Sequence, residues 1–96
     1  MTFLVRALDK PGHLDIRKTN RESHLTFLDT AGDRLKLAGP LLSEQGEMIG
    51  SLLVVDFDTL EAVHDWLADD PYTKAGLFRE VNVTGFRPVI ARFGEV

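Results

Sequence analysis

The run Leu52, Leu53, Val54, Val55, Asp56, Phe57 constrains this chain more than any other stretch. Successive side chains of a β-strand point to opposite faces, so Leu52 and Val54 face one way while Leu53, Val55 and Phe57 face the other. Both faces of the strand are therefore apolar. Phe3 and Val5 against Leu4 and Leu8 repeat the arrangement near the start of the chain. A sheet with helices on one side alone needs a polar second face if that face meets water. Here the second face needs a cover, and the simplest is the same face of another copy, giving a homodimer whose two sheets pack together.

The elements around this strand follow from pattern and punctuation. Phe3 to Leu8 reads as a first strand, ended by the Pro-Gly turn chemistry of "DKPGH". From about Asp15 to Ala31 the pattern is helical, with Gly32 where a helix commonly terminates in the left-handed conformation. "RLKLAGPLL" then reads as a second strand, bent or broken at Gly39-Pro40, and "SEQGE" connects it in a hairpin to the strand "MIGSLLVVDF". "DTLEAVHDWLADDP" reads as a second helix, N-capped by Asp58 or Thr59, with Leu60, Val63, Trp66 and Leu67 on its apolar face and Pro71 as its stop. After the short segment "YTKAGLF", Val81 to Phe93 reads as a last strand containing Gly85 and Pro88. Proline cannot donate to a ladder, so that strand belongs on an edge or carries a bulge. The order β-α-β-β-α-β is the ferredoxin-like pattern of the α+β class, an antiparallel sheet with both helices on one face, and it spans residues 1–96 as one domain.

Composition removes several function classes. A chain of 96 residues buries roughly 60–65% of its unfolded surface, so a partner subunit would add stability. The net charge of −4 and the scattered placement of eleven Lys and Arg give no footprint for nucleic acid. With no cysteine, there is no thiolate nucleophile, disulfide framework or iron–sulfur ligand set. His13, His24 and His64 lack the close paired spacing of a metal-binding helix, and the Gly39-Pro40 and Gly50-Ser51 pairs match no phosphate-loop pattern, so neither a metal nor a nucleotide cofactor is expected. No run approaches the roughly 20 apolar residues that span a bilayer, and the N-terminus lacks secretory features, so a cytoplasmic location without membrane partners is the expectation.

Candidate chemistry concentrates on the first helix. Wrapped at about 100° per residue, Arg17, Arg21 and His24 fall on one stripe with Leu28. That stripe is either an ordinary border between core and solvent or one wall of a ligand site. His24 is suited to general acid or base work, and such an imidazole usually needs a carboxylate to hold its tautomer. Asp69 and Asp70, where the second helix gives out, are available for that role, although they also fit a simple terminating turn before proline. His13 follows Pro-Gly in a loop and His64 lies among charged helix residues, so both read as solvated surface positions.

Arg17, Arg21 and His24, together with "AGP" at 38–40, "GSLLVVDFDTLEAVHDWLADDPY" and "GLFREVNVTGFRPV", resemble the YCII-related domain family, small proteins of the dimeric α+β-barrel superfamily. The most specific part is the joint occurrence of the Arg-x-x-His helix, Ala-Gly-Pro and the Asp-Pro-Tyr step. The resemblance implies a ferredoxin-like subunit that dimerises through its sheet, and an active-site cleft pairing His24 with Asp70; Asp69 has no such counterpart. One branch of that family is similar to dehydrochlorinases of chlorinated hydroxyquinols, and the wider superfamily includes muconolactone isomerases and cofactor-free monooxygenases. The implied function is a cofactor-independent lyase or isomerase of a small anionic or phenolic molecule. On the chemistry of the residues themselves, His24 and Asp70 would be the general acid/base pair and Arg17 or Arg21 would hold a carboxylate or phenolate oxygen as substrate-binding residues. Ser51, at the start of the central strand, is either a further substrate-binding donor or a plain strand residue. The competing reading is a non-catalytic homodimeric module that binds a small molecule or a protein partner, with His24 and Asp70 as a satisfied structural pair.

Overall fold

The computed structural model describes residues 1–93. Four strands, β1 (Thr2–Asp9), β2 (Leu35–Leu42), β3 (Met48–Asp56) and β4 (Phe78–Gly85), form one sheet in the order β2-β3-β1-β4. Every neighbouring pair is antiparallel. Helices α1 (Leu14–Thr19) and α2 (Arg21–Thr30) join β1 to β2, while α3 (Leu60–Ala68) and α4 (Pro71–Lys74) join β3 to β4. Each connection steps over one strand, which gives the ferredoxin-like α+β arrangement expected from the element order.

The alternation of β1 and β3 decides where the core lies. Phe3, Val5, Leu53, Val55 and Phe57 face the helices and meet Leu28 of α2 with Val63 and Leu67 of α3, all buried. Full burial of an aliphatic or aromatic side chain contributes about 1.5–3 kcal/mol each, so this cluster fixes the register of the two central strands. Trp66 closes its edge, stacked on Phe27 with ring centroids 5.0 Å apart. Thr59 caps α3 by accepting from the Ala62 N–H at 3.1 Å. On the opposite face Leu4 and Leu52 are half-buried and Val54 is buried. They open on a groove bordered by Leu37 and by Phe86, Pro88 and Ile90 of the segment that follows β4. The second apolar face is thus real, and the chain itself supplies part of its cover.

Several boundaries differ from the sequence reading, each for a local reason. The first helix is two pieces, broken at Asn20, where φ is −101° and ψ is 7° and the side-chain amide turns back to the Ile16 carbonyl at 2.9 Å. Gly32 does take the left-handed conformation, φ +57°, and a short 3₁₀ turn, Gly32–Arg34, follows it. β2 runs on through Gly39 and Pro40 instead of breaking, because it is an edge strand on which a missing N–H is tolerated. Its irregularities lie at Leu35/Leu37 and Leu41/Leu42. Pro71 does not merely stop α3; it opens α4 at the first helical position, where its missing N–H costs nothing. The last strand begins at Phe78 and ends at Gly85, leaving Pro88 outside it, while its edge position and the irregularity at Leu8/Asp9 agree with the expectation.

Candidate active site

Arg17, Arg21 and His24 lie on successive turns of α1 and α2, so the broken helix carries all three to the same side, above β3. Arg17 and His24 are buried and Arg21 is exposed. Together with Ser51 of β3, Pro40 of β2 and Tyr72 of α4 they line a cavity of about 100 Å³. Leucine, alanine and methionine side chains complete its walls, giving an apolar pocket with a few converging polar groups.

Asp70 stands behind His24, 1% exposed. The His24 Nδ1–H donates to Asp70 Oδ1 at 2.8 Å, with Oδ2 at 3.1 Å. The same Oδ1 accepts the Tyr72 N–H at 2.9 Å, which makes Asp70 the N-cap of α4. One tight turn therefore brings the carboxylate to the edge of the imidazole and the Tyr72 ring to its face. The two rings stack with centroids 3.9 Å apart and planes inclined by 14°. A carboxylate on Nδ1 selects the tautomer whose lone pair is on Nε2. Among the described residues no buried side-chain nitrogen or oxygen lacks a partner, so Nε2, which has none from the protein, opens to solvent through the cavity.

Arg17 has a different environment from the one its residue type suggests. Nε and Nη2 donate to the two oxygens of Asp9 at 2.7 and 2.9 Å, a bidentate pair with both side chains almost wholly buried. Nη2 also donates to Ser51 Oγ at 2.8 Å. The guanidinium carbon lies 4.7 Å from the centre of the Tyr72 ring. Burial pushes the Tyr72 hydroxyl above its ordinary range, opposed by the charges of Arg17 and Arg21. Arg21 makes no ion pair among the described residues.

The structure thus gathers His24, Arg17, Arg21 and Ser51 at one cavity, with Asp70 immediately behind. Asp69 is exposed and apart from it, as is His64, while His13 is tied to the Pro11 carbonyl at 2.9 Å. Two participants escaped the sequence reading. Asp9 was absorbed into the turn signal of "DKPGH", and nothing local marks it as the partner of an arginine eight residues on. Tyr72 stands in the Asp-Pro-Tyr step, but its place as a stacking platform depends on α4, a helix that the pattern of the short segment "YTKAGLF" does not announce.

A profile of the YCII-related domain matches residues 1–87. The chain belongs to the YCII-related domain family. An uncharacterised protein of Haemophilus influenzae is 36% identical over 97 aligned positions, covering 93% of this chain and 99% of its own length. The protein YciI of Escherichia coli O6:H1 is 33% identical with the same coverage. Among solved structures, the 5-chloro-2-hydroxyhydroquinone dehydrochlorinase of Burkholderia phenoliruptrix AC1100, in complex with 2,5-dihydroxybenzoquinone, superposes with a TM-score of 0.84. It is 33% identical and the match covers 91% of this chain and 94% of that one. An antibiotic biosynthesis monooxygenase superposes with a TM-score of 0.53 at 10% identity, covering 91% of this chain and 98% of that one, a likeness of fold alone.

Proposed function

We propose that this YCII-family protein is a cofactor-independent lyase or isomerase acting on a small phenolic or otherwise anionic molecule, with His24 as its general base. The observation that carries the reading is the buried His24–Asp70 contact, 2.8 Å at Nδ1, with Nε2 open to an apolar cavity beside Arg21. In this reading Nε2 takes a proton from the substrate, Asp70 stabilises the imidazolium that forms, and Arg21 holds the substrate's oxyanion. For dehydrochlorination of a chlorinated hydroquinone, the ring first takes a proton at the chlorine-bearing carbon as the neighbouring hydroxyl loses its own and becomes a carbonyl. Nε2 then takes the proton of the para hydroxyl, that O–H pair forms the second carbonyl, the ring double bond shifts, and chloride departs with the C–Cl pair. The 33% identity to a dehydrochlorinase supports that reaction type.

The outer sheet face is read as the homodimer interface, because Leu4, Leu52 and Val54 face away from the helices and Ile90 beside them is 72% exposed. One observation favours the non-catalytic alternative: Asp70 also caps α4, so its burial has a structural use whether or not His24 reacts.

Incubation with 5-chloro-2-hydroxyhydroquinone, following chloride release, separates the two. The enzyme reading predicts turnover that His24→Asn abolishes while Trp66 fluorescence reports an intact fold. Absence of turnover, or turnover indifferent to His24→Asn, would contradict it.

A further inference from the structure

Ser51 is a buried hydroxyl with one hydrogen to give, and the structure shows where that hydrogen does not go. A serine hydroxyl donates once and accepts twice, whereas a guanidinium donates and never accepts. Arg17 Nη2 donates to Oγ at 2.8 Å, so the Ser51 hydrogen has to turn away from Arg17. Among the described residues no protein group accepts it, while Ser51 lines the cavity that holds His24 and Arg21. A buried donor seeks an acceptor, and the cavity's contents are the remaining source.

The orientation is enforced from behind. Asp9 binds Arg17 through both carboxylate oxygens, at 2.7 and 2.9 Å, which fixes the plane of the guanidinium and hence the direction of Nη2. It also matches the Arg17 charge inside the protein, so Arg17 is no free cation for a ligand. A charged donor on Oγ polarises the O–H bond and strengthens what Ser51 offers on its other side.

We infer that Asp9 and Arg17 are positioning residues that make Ser51 an obligate hydrogen-bond donor, so that the cavity selects small molecules presenting an oxyanion to Ser51. The inference rests on the reading of this cavity as a ligand site, and it changes the part assigned to Arg17 there from contact with the ligand to action through Ser51.

The probes are 4-nitrophenolate, whose visible band moves to shorter wavelength when its oxygen accepts a hydrogen bond, and nitrobenzene, which matches its ring without the oxyanion. Wild type should bind the phenolate with a shifted band. Ser51→Ala should weaken that binding about tenfold or more and abolish the shift, with nitrobenzene binding unchanged, since a hydrogen bond to a charged group is at stake. Replacing the ion pair as a unit, Asp9→Leu with Arg17→Met, leaves no buried charge unpaired. It should weaken phenolate binding comparably and add almost nothing in a Ser51→Ala background. Should the paired variant fail to fold, Arg17→Lys gives the same comparison, because lysine keeps the charge but lacks the fork. Losses that multiply across the cycle would show Arg17 holding the ligand directly and overturn the inference. So would a Ser51→Ala protein with unaltered phenolate affinity and band. If neither probe binds wild type, the ligand-site reading falls and the inference falls with it.

Discussion

His24 is held in its plane by Asp70 and across its face by Tyr72, and both constraints come from the three residues 70–72. Removing the carboxylate therefore has two effects at once. Asp70→Ala loses the cap on α4, about 1 kcal/mol, and the charged hydrogen bond to His24, about 1.5–3 kcal/mol. We expect a total near 3 kcal/mol by urea denaturation followed at Trp66, with Asp70→Asn losing less because its amide oxygen still accepts the Tyr72 N–H. Tyr72 is the chain's one tyrosine, so tyrosinate absorbance reports it alone. Burial favours its neutral form and raises its pKa in the folded protein, whereas the unfolded chain ionises near the ordinary value of about 10. Below that value the contribution to stability is fully present, and it is lost as pH rises through the folded-state pKa. Tyrosinate absorbance should accordingly appear later than in a urea-unfolded control; superimposable curves would show that the ring is not buried. At this scale periodicity placed Arg17, Arg21 and His24 on one stripe, whereas Asp70 was distinguished from Asp69 through family resemblance alone. The partner of Arg17 was invisible, because a bidentate pair between a strand end and a helix has no periodic signature.

The elements that hold the site in place owe their precision to close backbone approach. Gly50 precedes Ser51 on β3, and a Cβ there would lie 2.4 Å from the Ala7 carbonyl oxygen of β1. Gly50→Ala must push the two central strands apart directly beside the Ser51 hydroxyl. We expect a loss of about 1–3 kcal/mol in denaturation and weakened ligand binding, whereas Gly39→Ala, with open space around it, should cost far less. Strand existence and order were legible because Leu52 to Phe57 and Phe3 to Leu8 show unmistakable strand character. Boundaries were less so. The break at Asn20 leaves the apolar periodicity on either side intact, and Pro71 gives the same signal whether it stops one helix or starts the next. The last strand begins earlier than expected because Phe78 pairs with Asp9 across an irregular ladder. Such pairing is decided by the partner strand and not by the residues of β4 themselves.

At the scale of the whole molecule, the helices cover one face of the sheet and the segment after β4 reaches partly across the other. Ile90 and Phe93 in that segment are 72% and 73% exposed, which leaves apolar surface on the side where two copies would meet. If that face is the dimer interface, Leu52→Glu should convert a dimer into a monomer in sedimentation velocity while leaving the helix-side cavity intact. A wild-type protein that sediments as a monomer would contradict the assignment. The two-faced strand announced this surface from sequence, but the contribution of residues 86–93 to its cover was hidden, because those residues read as a continuation of β4. No helix among the described residues is long and apolar enough to cross a membrane.

In the proposed function His24 presents Nε2 as a base to a ligand cavity while Asp70 holds Nδ1–H. Long-range ¹H–¹⁵N correlation spectra of the His24 ring, recorded with and without 2,5-dihydroxybenzoquinone, read both nitrogens at once. We expect the Nδ1–H tautomer in the free protein and a ligand-induced shift centred on Nε2 that Asp70→Asn diminishes. A proton resident on Nε2, or a ring that does not respond to the quinone, would contradict it.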